Sequence, residues 1–98
     1  MSGDSLKCLV TIKNPQGLHI RPIAAFVQEA NRHPCEVALG RPDGERVNGK
    51  SPISLMLLAA EEGTELLLEV NGPNADAAMR ILAEILEREA MDDDDEVE

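Results

Sequence analysis

Near its start the chain alternates: Cys8, Val10 and Ile12 fall on one side of residues 6–12, with Lys7, Thr11 and Lys13 largely on the other. A period of two marks a half-buried strand. Beyond the turn formers Asn14-Pro15-Gln16-Gly17 the period lengthens, and Ile20, Ile23, Ala24, Val27 and Ala30 recur at helical spacing. The spacing predicts a helix over 20–31, with Pro22 in the first turn, where no intrahelical amide is required. Residues 36–39 and 45–48 flank the turn Gly40-Arg41-Pro42-Asp43-Gly44 and read as a hairpin. Ser51 as cap and Pro52 at the first helical position then predict a short second helix over Pro52–Leu58.

Residues 64–70 alternate again, with Leu66, Leu68 and Val70 on one side and Glu65, Leu67 and Glu69 on the wetter one. Asn71-Gly72-Pro73-Asn74 ends that strand and offers Asn74 as the cap of a last helix. Its stripe would be Ala75, Ala78, Met79, Leu82, Ile85 and Leu86, with Arg80, Glu84, Glu87 and Arg88 outside, reaching about residue 90. The order is strand-helix-strand-strand-helix-strand-helix. Alternating strands favour an α+β domain over 1–90: a four-stranded, mainly antiparallel sheet with three helices on one face. Residues 91–98 hold six acids in eight positions and are expected to be a disordered acidic tail.

Composition narrows the function classes. At 98 residues the chain has room for one core, built from aliphatic side chains because Phe26 is its sole aromatic residue. A net charge of −10 and no aromatic platform exclude nucleic acid as a partner. The apolar run from Leu55 to Ala60 is far below the roughly 20 residues that span a bilayer, and MSGDSLK has no secretory apolar segment. A cytoplasmic protein without membrane contact is expected. Cys8 and Cys35 fit no metal spacing, which predicts reduced thiols, no metal and no cofactor.

The densest chemistry is Gly17-Leu18-His19-Ile20-Arg21-Pro22. It sets an imidazole and a guanidinium at a helix N-terminus, where the amides of Ile20 and Arg21 and the helix dipole favour a phosphoryl group. Neutral imidazole is a nucleophile near pH 7, and Arg21 adds a permanent positive fork. Gly17 lets the chain turn so that His19 projects outward, while Leu18 anchors the loop in the core. The same spacing also suits a surface or capping histidine beside a solvated arginine. His33, after the first helix, reads as a solvated residue or a partner of that helix's C-terminal dipole.

GLHIRPIAAF resembles the active-site segment of the HPr family, the histidine-phosphorylated carriers of the bacterial phosphoenolpyruvate-dependent phosphotransferase system. The resemblance continues through Val47-Asn48-Gly49-Lys50-Ser51, Gly63-Thr64-Glu65 and the closing helix. It implies an HPr-like open-faced sandwich that acts as a carrier rather than an enzyme and as a monomer. His19 would take the phosphoryl group on Nδ1 from phosphorylated enzyme I and pass it to an enzyme IIA domain, with Arg21 and the amides steadying the phosphate. Ser51 matches the family's second phosphorylation position, the target of a dedicated kinase/phosphorylase; it also reads simply as a helix cap, and both readings hold together. Ile20, Ala24, Pro52, Ile53, Met56 and Leu57 would form a docking rim beside His19. Ile20 departs from the small residue or threonine usual after the histidine, and Pro52 from the hydrophobic residue usual after the serine. The Gly72-Pro73 turn and the run from Leu55 to Leu58 resemble the nitrogen-related paralogues, which serve a regulatory relay. A small phosphohydrolase of acylphosphatase type is the remaining alternative, but its glycine-rich phosphate loop has no counterpart here. Regulatory paralogues that have lost the histidine are excluded by His19.

Overall fold

The computed structural model describes residues 4–89, so the tail expected at 91–98 lies outside the described residues. The elements follow in order: β1 (Asp4–Thr11), α1 (Ile20–Ala30), β2 (Glu36–Gly40), β3 (Val47–Asn48), α2 (Pro52–Leu58), β4 (Glu65–Gly72) and α3 (Ala75–Leu86). The sheet order is β1-β4-β2-β3, and every pair is antiparallel. Because side chains alternate along each strand, the register fixes rows that cross the sheet on one face. Leu6, Val70 and Val37 form one row, and Cys8, Leu68 and Leu39 another. These rows join Ile23, Phe26 and Ala30 of α1, Leu55 of α2 and the stripe of α3 in a single core. The opposite face is polar at its centre: Lys7 pairs with Glu69, which also accepts from Arg46 Nε at 2.7 Å.

Several boundaries shift for local reasons. β1 begins at Asp4 and stops at Thr11, because Ile12 instead exchanges backbone bonds with Thr64 (2.9 Å) and Gly63 (2.7 Å). β4 runs on to Gly72, since Asn71 and Gly72 still face Ser5 and Asp4. The second hairpin arm shrinks to Val47–Asn48, and the Arg46 guanidinium before it donates to the Gly44 carbonyl at 2.7 Å.

The last helix ends at Leu86 rather than near residue 90, with Glu87 as its C-cap. Glu87 does not stand outside: it is half-buried, and its carboxylate accepts the Thr11 N–H at 3.0 Å. Asn74 occupies the N-cap of α3 but makes no side-chain cap bond; it sits at φ 59°, ψ 34°, a left-handed conformation that asparagine tolerates better than most residues. His33 is half-buried rather than solvated. Its Nε2 meets Glu29 Oε2 at 2.9 Å, and its carbonyl accepts from Lys50 Nζ at 2.9 Å.

Candidate functional site

The loop from β1 to α1 is built by backbone constraint. The Asn14 carbonyl accepts the Gly17 N–H at 2.8 Å, closing a four-residue turn. Gly17 lies at φ +74°, and a Cβ there would stand 2.6 Å from the Ala60 carbonyl oxygen, so glycine is required by both conformation and space. Leu18, buried as expected, donates its N–H to that same Ala60 oxygen at 2.9 Å and pins the loop to the end of α2.

His19 follows as the N-cap of α1, with an extended backbone and a carbonyl that accepts from Ile23 N at 3.1 Å. Its side chain makes no cap hydrogen bond. The capping role is therefore absent, and the half-buried ring is held from the other side: Nε2 lies 3.4 Å from Asn14 Nδ2. Ile20 and Arg21 are the first two helical residues and both are exposed. N–H groups in the first turn of a helix point out of its N-terminus, and Pro22, the third residue, has no N–H at all. The positive end of α1 is thus concentrated on the two peptide groups directly after the histidine.

Ser51 caps α2, its Oγ accepting the Ser54 N–H at 3.2 Å. α1 and α2 pack so that Ile20, Ala24, Pro52 and Met56 share the wall of a groove of about 300 Å³. Among the described residues Ile53 and Leu57 are the most exposed large apolar side chains, at 70% and 78%, and lie outside its lining. All six residues of the expected rim are exposed, and four of them meet in the groove. Asn14 belongs to the site as well as to the turn that the sequence predicts. Its signal was there: an asparagine three positions before a glycine and five before the histidine.

Cys8 and Cys35 are free thiols. Burial, with a smaller contribution from Glu87, pushes the Cys8 thiol above its ordinary pKa. Among the described residues no three His, Cys, Asp or Glu side chains gather as a metal site, and no helix is long and apolar enough to cross a membrane.

A family model described as the PTS HPr component phosphorylation site matches residues 6–88. The chain belongs to the HPr family. Within it, the chain is similar to the phosphocarrier protein HPr of Pseudomonas aeruginosa, 44% identical over 77 residues that cover 79% of this chain and 86% of that one. The crystal structure of a phosphocarrier protein HPr from Bacillus anthracis superposes with a TM-score of 0.79 at 34% identity, covering 85% of this chain and 98% of the other. That of Crh from Bacillus subtilis, described as a dimer with a swapped domain, gives 0.66 at 43% identity, covering 79% and 87%. HPr proteins are phosphocarriers of the phosphotransferase system and not catalysts, and they work with its enzymes.

Proposed function

We propose that this HPr protein carries its phosphoryl group on His19, receiving it from phosphorylated enzyme I and delivering it to an enzyme IIA domain. The observation that supports this most is the placement of His19 as an N-cap residue whose ring does no capping. His19 occupies the positive end of α1, with Ile20 and Arg21 as the next two residues, both exposed. Phosphoryl transfer needs alignment and charge stabilisation more than covalent machinery, and this site supplies both. Nδ1 attacks the phosphorus, the donor's N–P bond breaks as Nδ1–P forms, and the donor nitrogen leaves with its electron pair. The helix end and Arg21 then balance the dianionic phosphoryl group. The exposed rim of Ile20, Ala24, Pro52, Ile53, Met56 and Leu57 serves successive partners, and the carrier acts as a cytoplasmic monomer.

Ser51 carries the regulatory phosphorylation in this reading. Its Oγ already faces the Ser54 amide, so a phosphoserine retains acceptor oxygens for the same helix end. The added charge would stand on the docking face and slow the approach of an acidic partner. Fully Ser51-phosphorylated protein that accepts phosphoryl groups from enzyme I at the unmodified rate would overturn this role.

Incubation with phosphoenolpyruvate and enzyme I, followed by mass measurement, tests the carrier. One acid-labile phosphoryl adduct is expected, absent in His19→Ala and strongly slowed in Arg21→Ala. An adduct that persists in His19→Ala, or none with several enzyme I proteins, defeats the assignment. Onward transfer to purified sugar-type or nitrogen-type enzyme IIA domains tells which branch the carrier serves.

A further inference from the structure

Among the described residues, Asn14 is the buried polar side chain, only 7% exposed, and each of its polar groups has a distinct task. Its carbonyl takes the Gly17 N–H at 2.8 Å, and its side-chain Oδ1 takes the Gln16 N–H at 2.9 Å. Only oxygen can accept from Gln16, so the side-chain amide has one orientation. Nδ2 is thereby turned onto Nε2 of His19 at 3.4 Å, the long end of hydrogen-bond range. An amide nitrogen can only donate. The contact is attractive when Nε2 presents a lone pair and repulsive when Nε2 carries a proton.

We propose that Asn14 is a positioning residue for His19 that holds Nε2 as an acceptor, so that in the neutral ring Nδ1 is the substituted nitrogen. The inference rests on His19 being the phosphoryl carrier for its functional meaning, but not for its geometry. In the resting ring the substituent on Nδ1 is a proton. In the phosphorylated neutral ring it is the phosphoryl group, and Nε2 keeps the same lone pair toward Asn14. Over the whole transfer the donor's N–P bond is exchanged for Nδ1–P. The proton leaving Nδ1 is balanced by the one that the donor imidazole gains, so both rings begin and end neutral. Attack itself needs the Nδ1 lone pair, so the ring reacts as its minor Nε2–H tautomer with the Asn14 contact opened, and the Nε2 proton passes to solvent once Nδ1–P has formed and the donor nitrogen has left with its electron pair. Asn14 therefore favours the two end states and disfavours every form protonated at Nε2. One of these is the phosphorylated imidazolium, whose neutral leaving group makes it the form most readily lost to water. A ring held this way keeps its cargo until a partner displaces Asn14 or protonates Nε2.

The test compares the unmodified protein with Asn14→Asp and Asn14→Ala. Asn14→Asp keeps an oxygen for Gln16 N–H and replaces only the donor facing the ring, so it separates loop folding from ring positioning. Nitrogen-15 shifts of the His19 ring in the neutral, unphosphorylated protein report which nitrogen holds the proton. Unmodified protein is expected to favour the Nδ1–H form. The tautomer ratio is expected to fall about three- to tenfold in Asn14→Ala, the change that loss of one hydrogen bond implies, and to invert in Asn14→Asp. After phosphorylation by enzyme I, the adduct should hydrolyse fastest in Asn14→Asp. An Nε2–H majority in the unmodified protein, or the same ratio in all three proteins, overturns the proposal. Failure of His19 to be phosphorylated at all overturns the carrier reading instead, and the ring measurement still decides the role of Asn14.

Discussion

At the scale of single residues, the site depends on one backbone angle. Gly17 at φ +74° turns the chain so that Leu18 enters the core and His19 leaves it, and there is no space for a Cβ beside the Ala60 carbonyl. Gly17→Ala is expected to lose about 2 kcal/mol or more, combining left-handed strain with displacement of the loop. Urea denaturation measures the loss, and the rate of phosphorylation by enzyme I should fall with it. Stability close to that of the unmodified protein would show that the turn has another conformation open to it. Cys8 sets a second expectation. Its thiol is raised by burial and by Glu87, so the folded chain keeps this proton at pH values where the unfolded chain has lost it. Its stabilising contribution is complete below the unfolded thiol's pKa and is lost as pH rises through the folded one. Denaturation measured across the alkaline range should show a steeper decline for the unmodified protein than for Cys8→Ser, and parallel declines would remove the thiol from the account.

At the scale of elements, what was legible and what was not separate by mechanism. Periodicity placed β1, α1, β4 and α3 and turn chemistry placed the hairpin, while α2 has the expected bounds because Ser51 and Pro52 state a helix start in local chemistry: Oγ takes the Ser54 amide and proline sits at the first position. Ser51→Ala should accordingly cost about 1 kcal/mol, read from urea denaturation, and no loss would mean that the contacts of Leu55 hold α2 alone. Asn74 carried the same kind of signal with another meaning. Asparagine is favoured both as a cap and in the left-handed conformation, and composition does not distinguish the two. Asn74→Gly is expected to be neutral or slightly stabilising and Asn74→Ala destabilising, read from urea denaturation, whereas loss of a side-chain cap would make Asn74→Gly slightly destabilising as well. The end of α3 was illegible because a long-range contact decides it: Glu87 reaches the Thr11 amide, 76 residues earlier in the chain. The contact of His33 with Lys50 escaped for the same reason, since only folding brings the end of α1 to the residue before Ser51, whereas its pair with Glu29 is a local i,i+4 contact. In the proposed site, the positions of His19 and Arg21 at a helix start and the exposure of the six apolar side chains were legible from residue types and spacing. Asn14 was not, because its part in the site follows from which way one amide faces.

At the scale of the whole molecule, charge and apolar surface are set against each other. Residues 91–98 hold six of the 19 acidic residues, leaving 13 against nine basic ones in the rest of the chain. Two copies therefore repel, while Ile20, Ile53, Met56 and Leu57 remain exposed around α1 and α2. An apolar rim facing other copies of the same chain would bury His19; facing other proteins, it brings the histidine to them. The relationship to Crh makes the alternative concrete, because a protein of this fold can form a dimer with a swapped domain. Here the connection after β1 is pinned at three points, by Gly17 N–H to the Asn14 carbonyl, Leu18 N–H to the Ala60 carbonyl and Gly63 N–H to the Ile12 carbonyl. An exchange of β1 between copies must break the Gly63–Ile12 bond and open the Asn14–Gly17 turn, while the Leu18–Ala60 bond holds the far side of the connection in place. β3, at the other edge, is two residues long, too short to recruit a strand. Sedimentation equilibrium is expected to give the mass of one chain, at low salt and high, and enzyme I should phosphorylate the protein at a rate proportional to its concentration. If adding salt produces a two-chain species, charge repulsion alone keeps the copies apart. If that species also loses phosphorylation at His19, the rim is the contact that repulsion guards. A two-chain mass at low salt would overturn the monomer and turn the same four side chains from a docking surface into an interface between copies.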